Sequence, residues 1–600
     1  MASLDSIDLI ITEWHEGTPS AKDIQRGIRA LSKISGKSWS KTRLLDEYRK
    51  LLSTKKVEPN KLLLAALKRK PIRTLSGVAP VTVLTKPFPC PGQCIFCPND
   101  IRMPKSYLAD EPGAQRAERN WFDPYLQTYN RLEALDSIGH NVDKVEIIVL
   151  GGTWSFYPLG YQRWFITEVF RALNDFGVGT DMRRAREKIY ETSVKPLAHE
   201  GKPELTNNPS SNEDALKALE IHGTAMNVGE YNRVIESTYS GPERRVGFDT
   251  WQQADWDEVA QVHRNNELSA IKCVGLVLET RPDSISPKEV LNLRRLGATK
   301  VQIGIQSLQD SVLLKNRRGH TVLATSRAFE LLRLAGFKIH GHWMANLYGS
   351  TPERDVADYK RLFSSPYCPD ELKIYPCSLI DSAELMKYYQ AGKWRAYTPT
   401  ELSEVIGKAL LATPPYCRLT RIIRDIPSQY IVVGNKQTNF RQIAEKNLGV
   451  DLRNLKDIRS REIRSTSFKE SALALVERRY KTTVSTEIFL EWNVSSADHG
   501  IGQIVGFLRL CLPTQTPDIE ELIGAAIIRE VHVYGQLTKL GQTGKTQHAG
   551  LGAQLIERAC VIAKAKGFES IAVISAVGTR EYYRKQGFDD GTLYQHKAVN

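Results

Sequence analysis

The chain has 600 residues and a net charge of +14, with 41% apolar and 25% charged residues. This length exceeds a single hydrophobic core, so we expect two to four domains of a globular protein. Nine cysteines are too few for a disulfide framework, and no window reaches the eighteen apolar residues of a membrane span, which excludes disulfide-rich secreted and membrane proteins. The first residues do not resemble a signal peptide, so we expect a cytoplasmic protein, and the positive charge favours a polyanionic partner.

The N-terminal region holds much of this charge: residues 20–75 contain sixteen Lys or Arg against four acidic residues. Apolar residues in 21–34 and 40–52 have helical spacing, and 61–70 joins an apolar run to Lys-Arg-Lys. The pattern predicts a basic helical module over residues 1–75. Because Lys and Arg neutralise phosphates, we favour contact with RNA or DNA over the alternative of a solvated helix face.

A short cysteine-rich stretch follows, reading P-C-P-G-Q-C-I-F-C-P over 89–98 and containing Cys90, Cys94 and Cys97. Three thiolates this close can bind three irons of a 4Fe–4S cluster. The next cysteine is Cys273, so the fourth iron would accept an exogenous ligand. The alternatives are a zinc knuckle, although structural zinc normally has four protein ligands, and three unrelated core cysteines. The spacing resembles that of the radical S-adenosylmethionine enzymes, in which S-adenosylmethionine occupies the open iron.

From residue 76 to 394, short β-branched runs alternate with helical stretches. The predicted strands are 81–84, 145–150, 273–278, 301–305, 337–342 and 372–375. The last four begin about thirty residues apart, as expected for βα units in a parallel sheet or barrel. Barrel enzymes place their sites at the C-terminal ends of the strands, where these runs deliver glycine or polar residues.

Three of these strand ends have a chemical interpretation. Gly151, Gly152 and Thr153 would let the backbone approach the amino group of S-adenosylmethionine, although a glycine pair is more often a simple turn. Glu279 and Arg281 are candidates to clamp a polar ligand, and Gln306 to hydrogen-bond one. The alternative for these three is a surface ion pair.

Two segments break the alternation. Residues 195–260 have no period and predict an inserted, partly disordered loop to which we assign no chemistry. Residues 395–464 are basic and predict a linker that extends the RNA surface, with Arg418, Arg421 and Arg424 recurring every three residues.

The same neighbourhood offers a second metal site. A zinc ion near Cys368, Cys377 and Cys417 is possible on residue type, but their spacing is not diagnostic and buried free cysteines are the common alternative.

Residues 465–600 predict a second catalytic unit, with strands at 486–492, 504–510 and 524–533. Gln547, Gly550 and Gly552 then form Q-x-x-G-x-G directly before a helical stretch at 553–566. A glycine loop that opens a helix offers N–H groups to a pyrophosphate, and this one resembles the coenzyme A loop of the Gcn5-related N-acetyltransferases. After a further strand come Tyr582 and Tyr583, of which one is a candidate acid near the thioester, the alternative being aromatic core packing.

The order of these units resembles the Elongator catalytic-subunit family. The resemblance runs from about residue 78 to 588 and includes D-K-V-E-I-I-V-L-G-G-T, K-C-V-G-L-V-L-E-T-R-P-D, N-R-R-G-H-T, R-E-V-H-V-Y-G and A-V-G-T-R-E-Y-Y-R-K-Q-G-F. It implies an α/β fold in which a partial (β/α) barrel precedes an acetyltransferase domain. It also implies that the three loop cysteines hold the cluster.

The resemblance implies further roles toward acetyl-CoA. Lys144 would reach it from the barrel, and Tyr583 would lie at the thioester. The residues implied along its acyl and pantetheine arm are Glu530, Val531, His532 and Val533, and those at its pyrophosphate are Leu551, Gly552 and Ala553. The chain departs from the eukaryotic pattern in its three-residue first cysteine gap, in the insertion after Lys195 and in the short segment 541–546, which puts gating of the acetyl-CoA site in doubt.

The implied activity is carboxymethylation of C5 of the wobble uridine in the tRNA anticodon stem-loop. It would use acetyl-CoA, S-adenosylmethionine radical chemistry and an electron donor, and the base would leave the anticodon stack. Two alternatives stay open: a protein lysine acetyltransferase whose cluster is structural, and an RNA-binding scaffold with inactive sites. The open iron argues against the first and the intact glycine loop against the second.

Overall fold

The structure is a computed structural model that describes all residues except 1–10, 12, 15–18, 55–59, 69–73, 75, 194–227, 240–250, 425, 448–451, 464–469, 497–498, 535–549 and 600. Gln547 and the segment 541–546 therefore lie outside the described residues, as does most of the insertion.

The basic N-terminal region contains the helices Ala21–Ser35, Lys41–Ser53 and Lys61–Leu67. Ser20 caps the first helix through a capping box with Asp23, and Gly36 ends it at a φ of 63°. The helices share a small apolar core that includes Leu44, Leu45, Tyr48, Leu51 and Leu63. This module contacts the rest of the chain where Arg49 binds Asp136 at 3.0 Å.

A seven-stranded parallel sheet forms the centre of the molecule, in the order β1-β2-β3-β4-β5-β6-β8. Its strands are β1 Ala79–Leu84, β2 Lys144–Leu150, β3 Lys272–Thr280, β4 Lys300–Gln306, β5 Lys338–Ala345, β6 Glu371–Pro376 and β8 Arg418–Arg421. A small antiparallel pair, β7 Leu379–Ile380 and β9 Ile431–Val433, lies beside it. The predicted α/β fold with an open, partial barrel is confirmed.

Helices connect these strands and cover the outside of the sheet. They are Pro112–Glu118, Pro124–Asp136, Leu159–Val178, Arg183–Ser193, Val228–Tyr239, Trp256–Leu268, Pro287–Arg295, Asp310–Lys315, Val322–Leu334, Pro352–Arg361, Leu385–Gln390, Pro399–Ala412, Phe440–Asn447 and Ile458–Arg461. Six of them begin at a Ser, Thr or Asp whose side chain caps the first turn, for example Asp255, Ser286, Thr321 and Thr398. None of the helices in the described ranges combines the length and the apolar character needed to cross a bilayer.

The range 395–464 is not only a linker, because β8 pairs with β6 and extends the parallel sheet. Two of the arginines that the sequence assigns to an RNA surface, Arg418 and Arg424, are paired with acidic side chains. Arg418 binds Glu462 at 2.7 Å, and Arg424 binds Glu111 at 3.0 Å beneath the loop that follows β1. Arg421 is exposed. These two pairs reduce the free charge of the range, but Arg395, Arg453 and Arg459 are also exposed, so the RNA surface stays a prediction.

The C-terminal region forms a second seven-stranded sheet in the order β10-β11-β12-β13-β14-β16-β15. Its elements are β10 Leu473–Lys481, β11 Ser485–Ser496, β12 His499–Pro513, β13 Ala525–Val533, the helix Leu551–Ala565, β14 Ser570–Val573, the helix Arg580–Lys585, β15 Asp589–Asp590 and β16 Gln595–Ala598. Pairing is antiparallel except between β13 and β14, which run parallel.

The two sheets meet through a buried set of ion pairs. Arg529 on β13 binds Asp370 and Glu487, at 2.7 and 2.8 Å. Arg509 on β12 binds Glu530 at 2.8 Å and donates to the Tyr416 carbonyl at 2.7 Å. All five side chains are largely buried, and removal of one partner from such a set leaves an uncompensated charge. The ion pairs therefore fix how the second sheet sits on the barrel.

Candidate active site at the two ends of one barrel

The cysteines lie in a long irregular segment, residues 85–111, between β1 and the helix Pro112–Glu118, which we call the cysteine loop. Because it follows β1, it lies at the C-terminal ends of the parallel strands, which we call the cysteine end of the barrel. The loop is seated on the barrel by Ile95, whose N–H donates to Asn316 at 3.3 Å and whose carbonyl accepts from Leu385 at 2.8 Å. Cys94 and Cys97 are buried and Cys90 is half-buried.

Three cations surround these thiols. Arg318 Nη1 donates to Cys94 Sγ at 3.3 Å. The Arg281 guanidinium occupies the space that a side chain at Gly92 would need, which explains the glycine between the first two cysteines. Burial raises the pKa of Cys97, and the Lys105 ammonium opposes that rise. The cysteine end therefore combines thiols with positive charge.

Several buried polar atoms at this end have no hydrogen-bond partner among the described residues. They are Arg281 Nη1, Arg318 Nε, Lys105 Nζ and Gln306 Oε1. A buried unpaired donor costs about 1–3 kcal/mol, so donors of this kind suit a ligand that brings its own acceptors. A thiolate-bound 4Fe–4S cluster and the carboxylate of S-adenosylmethionine both carry negative charge, so the residues present fit these groups.

The predicted strand-end residues divide into two groups. Gly151, at a φ of 142°, has no room for a side chain because Thr85 Oγ1 fills that space, and Gly152 lies against Tyr157. Their role in the structure is close packing of the segments after β1 and β2, with Thr153 buried beside them. Arg281 and Gln306 do reach the cysteine end, and Gln306 holds the unusual φ of 65°.

Glu279 belongs instead to a polar barrel interior. Its carboxylate lies 3.6 Å from His342 Nδ1, while His342 Nε2 lies 2.9 Å from Gln302 Oε1. Lys373 donates to the same Gln302 oxygen at 2.5 Å, and burial lowers the pKa of Lys373 to about 8, opposed by Glu279. Burial also holds the pKa of His340 and His342 well below its ordinary value, so both rings are neutral. Barrel interiors are usually filled with branched apolar residues, so this one is exceptional.

At the N-terminal ends of the strands, the cavity end, the polar residues form a continuous chain of ion pairs. Glu530 binds Lys338 at 2.5 Å, and Lys338 lies 3.4 Å from Glu371. Lys300 lies 3.2 Å from Glu371 and binds Glu146 at 2.7 Å. Four of these residues come from the barrel and Glu530 comes from β13, so the chain crosses the boundary between the two sheets.

A cavity of about 200 Å³ opens at this end. The barrel contributes lining residues from the starts of six strands, β2 to β6 and β8, and the second sheet contributes a complementary wall. From that second sheet the lining includes Phe507, Glu530, Val531, His532, Tyr534 and Tyr583. Burial lowers the pKa of His532 although Glu530 opposes it, so this ring is neutral as well. A cavity shared in this way brings residues that are hundreds of positions apart to one ligand.

The glycine loop and the tyrosines approach the same wall. Gly550, at a φ of 98°, precedes the helix Leu551–Ala565, so Leu551, Gly552 and Ala553 form its first turn with free backbone N–H groups. The Tyr582 hydroxyl lies 2.8 Å from the position a Cβ would take at Gly552. Tyr583 lines the cavity, and burial raises the pKa of its hydroxyl, which is therefore protonated at neutral pH. The two neighbouring tyrosines thus face different parts of the site.

Lys144 is not among the residues that line the cavity, although Glu146, two residues further along β2, does line it. Its role toward acetyl-CoA stays a prediction. The zinc prediction is wrong: within the described ranges no three His, Cys, Asp or Glu side chains are grouped to hold a single metal ion. Cys368 and Cys417 pack in the main core, while Cys377 packs in a separate cluster. A cubane differs from a single ion because each thiolate binds a different iron, so its ligands need not converge on one point.

Sequence analysis missed Arg318, Lys105 and the ion-pair chain. Arg318 lies in the quoted motif N-R-R-G-H-T, but no local pattern indicates that a residue after a helix reaches a thiol 224 positions away. The ion-pair chain is indicated more clearly by the sequence. Lys300 and Gln302 on β4, and Lys338, His340 and His342 on β5, are polar at every second position, which indicates a polar face on a buried strand.

Three comparisons with known proteins agree with this arrangement. A family model described as the Radical_SAM C-terminal domain matches residues 369–449. The tRNA uridine(34) acetyltransferase of Methanocaldococcus infernus is 33% identical over 559 residues, covering 90% of this chain and 89% of that protein. Elongator complex protein 3 of Homo sapiens is 32% identical over 603 residues, covering 96% and 94%. The solved structure of archaeal Methanocaldococcus infernus Elp3 lacking residues 1–46 aligns with a TM-score of 0.64 at 29% identity, covering 87% of this chain and 99% of that one.

Proposed function

The chain belongs to the family of the tRNA uridine(34) acetyltransferases and Elongator complex protein 3, and on that premise we propose that it is a transferase that modifies the wobble uridine of tRNA. Its product is a carboxymethyl group on C5, whose carbon atoms come from acetyl-CoA. The proposal includes a 4Fe–4S cluster on Cys90, Cys94 and Cys97, S-adenosylmethionine beside it and an external electron donor.

One observation carries this proposal: a single barrel has the thiols and unpaired cations at one end and a cavity shared with an acetyltransferase-like sheet at the other. A protein that only acetylated lysine would need the second sheet alone. A barrel with a purely structural role would not need a polar interior, so the polar residues between the two ends favour a role for the barrel in the reaction.

At the cysteine end, Cys90, Cys94 and Cys97 would hold the 4Fe–4S cluster, which with S-adenosylmethionine would supply radical chemistry when bound. Arg318 donates to the Cys94 sulfur and so lowers the charge that the thiolates present. Arg281 and Gln306 offer one donor and one acceptor to the polar groups of S-adenosylmethionine. Burial of these side chains excludes water from the reacting atoms.

At the cavity end, the first turn of the helix Leu551–Ala565 binds the pyrophosphate of acetyl-CoA, and β13 lines its arm. Thioester hydrolysis then needs a water oxygen to bond to the carbonyl carbon while the C–S bond breaks. Tyr583 is protonated and lines the cavity, so it can donate to the departing sulfur. One proton of the water restores the Tyr583 hydroxyl, and the other stays on the carboxylic acid that forms.

The tRNA contact is assigned to one face of the N-terminal helix Ala21–Ser35. Its exposed cations recur at helical spacing, and they are Lys22, Arg26, Arg29 and Lys33. Such a stripe neutralises phosphates without reading sequence. Changing all four to alanine is expected to weaken tRNA binding and to reduce the slope of log affinity against log salt by up to about 4. An unchanged slope would place the tRNA elsewhere.

The decisive experiment is mass spectrometry of tRNA nucleosides after anaerobic incubation with acetyl-CoA, S-adenosylmethionine and a reductant. The expected result is carboxymethyluridine, with the added carbons labelled when the acetyl group is labelled. Acetylated protein lysines without modified uridine would favour the lysine acetyltransferase alternative.

A further inference from the structure

The inserted segment 195–260, between β2 and β3, includes the described helix Val228–Tyr239, and this helix contacts the cysteine loop. Asn232 binds both backbone groups of Cys90. The Cys90 N–H donates to Asn232 Oδ1 at 3.0 Å, and Asn232 Nδ2 donates to the Cys90 carbonyl at 3.0 Å. A side-chain amide is suited to this double contact because it carries an acceptor and donors on one planar group.

The neighbouring residue holds the other side of the loop. Tyr231 is fully buried, and its hydroxyl donates to the Met103 carbonyl at 2.8 Å. The Lys105 ammonium lies 4.6 Å from the centre of the Tyr231 ring, in cation–π contact. Ile235, one turn later, packs against Ile101. Consecutive residues of one helix therefore contact the cysteine loop at the first of its three cysteines and beyond the last.

The barrel holds only part of the cysteine loop. Its middle is held by the barrel, through the backbone of Ile95 and through Arg318 on Cys94. Cys90 lies nearer the start of the loop and is half-buried, and its backbone is paired with Asn232. Residues 85–111 contain no helix or strand, so their conformation depends on contacts of this kind.

We propose that the helix Val228–Tyr239 is a clamp on the cysteine loop, in which Asn232 and Tyr231 are positioning residues that hold Cys90 and Lys105 in place around the cluster. This gives the insertion a function: it completes the cluster site from outside the barrel. The proposal rests on the proposed function only in that the loop is taken to hold an iron–sulfur cluster. Asn232 and Tyr231 touch neither substrate nor reacting atoms, so they act through the loop.

The test is the rate at which a chelator removes iron from the anaerobically reconstituted full-length protein. Asn232→Leu keeps a similar volume and removes both hydrogen bonds to Cys90. It is expected to lose iron about tenfold faster, because partners of ligating residues typically change metal affinity by that much. Tyr231→Phe removes only the bond to Met103 and should lose iron less rapidly. Glu236→Ala, on the exposed face of the same helix, is the matched control and should behave as wild type.

A second readout separates the clamp from general destabilisation. The electron paramagnetic resonance spectrum of the reduced cluster should change in Asn232→Leu, while acetyl-CoA binding at the opposite end of the barrel stays unchanged. Asn232→Asp retains the acceptor for the Cys90 N–H but has no donor for its carbonyl, so it should fall between wild type and Asn232→Leu. If Asn232→Leu does not fold, Asn232→Asp and Tyr231→Phe decide the question.

The outcomes are distinct. Wild-type rates of iron loss and an unchanged spectrum in the folded Asn232 variants would overturn the clamp. A wild-type protein that takes up no iron and sulfide would overturn the proposed function instead.

Discussion

The two ends of the barrel differ in how their buried positive charges are balanced. At the cysteine end, Arg281, Arg318 and Lys105 each keep a buried nitrogen without a hydrogen-bond partner among the described residues. At the cavity end, Lys338 and Lys300 are neutralised by Glu530, Glu371 and Glu146. The proposed function accounts for this difference, because a cluster and a carboxylate would bring negative charge to the first end. An uncharged thioester at the second end would be met by fixed dipoles and Tyr583.

The largest effect should follow from removing the thiols. The Cys94→Ala, Cys97→Ala double variant is expected to bind essentially no iron and to form no modified uridine, because two of three iron ligands are lost. Its affinity for acetyl-CoA should equal that of wild type, since the cavity lies at the other end. Iron and sulfide analysis with calorimetric titration of acetyl-CoA measures both. Equal iron content in the variant and in wild type would contradict the assignment of the cluster to the cysteine loop.

The ion-pair chain provides the next largest effect. Lys338→Met would leave Glu530 and Glu371 short of a buried partner, and the loss of one member of such a pair typically costs about 3–5 kcal/mol. In the protein without cluster, Arg318→Met should cost less, because that arginine already has an unpaired Nε atom.

Scanning calorimetry of both variants tests this ranking, with Lys564→Met, an exposed lysine on the helix Leu551–Ala565, as the control. A smaller fall in unfolding temperature for Lys338→Met than for Arg318→Met would contradict the conclusion that the buried charges are balanced at the cavity end and unbalanced at the cysteine end.

The sequence is informative about strands and less so about the interior. The runs at 145–150 and 301–305 were located within one residue at each end because β-branched residues bounded by turns predict buried strands. β8 was missed as a strand because R-L-T-R is short and charged. The helix Val228–Tyr239 was also missed, although Val228, Tyr231 and Ile235 have helical spacing. Its contact with Cys90 joins two residues that are 142 positions apart in the sequence, and no local pattern encodes such a contact.

The two tyrosines allow the cavity end to be divided further. Tyr583→Phe is expected to lower kcat for tRNA-dependent acetyl-CoA hydrolysis about tenfold with little change in KM, because it removes the hydroxyl that lines the cavity. Tyr582→Phe should instead raise KM, since its hydroxyl lies against Gly552 at the start of the helix. Steady-state kinetics with saturating tRNA separates the two.

A third variant examines Lys144 in the same assay. Lys144→Ala is expected to slow hydrolysis while leaving tRNA binding intact, as the family resemblance implies. Wild-type turnover would mean that the barrel lysines acting on the thioester are those that line the cavity, Lys300 and Lys338. Equal effects of the two tyrosine substitutions on kcat would remove the distinction between the acyl and pyrophosphate regions.

The smallest effect concerns two histidines, one at each end. Burial and then the Arg318 charge lower the pKa of His320 to about 3, whereas Glu530 opposes the lowering of the pKa of His532. The unfolded pKa is about 6.5, so the stability that each neutral histidine contributes is present above pH 6.5 and is lost as the pH falls toward the folded value. Between pH 6.5 and 5.5, His320 alone should account for about 1 kcal/mol. His320→Asn should therefore flatten the fall in unfolding temperature over this interval more than His532→Asn does. Parallel pH profiles for wild type and His320→Asn would mean that protonation of this ring does not destabilise the cysteine end. The positive charges of Arg318 and Arg281 would then be balanced more completely than their unpaired nitrogen atoms indicate.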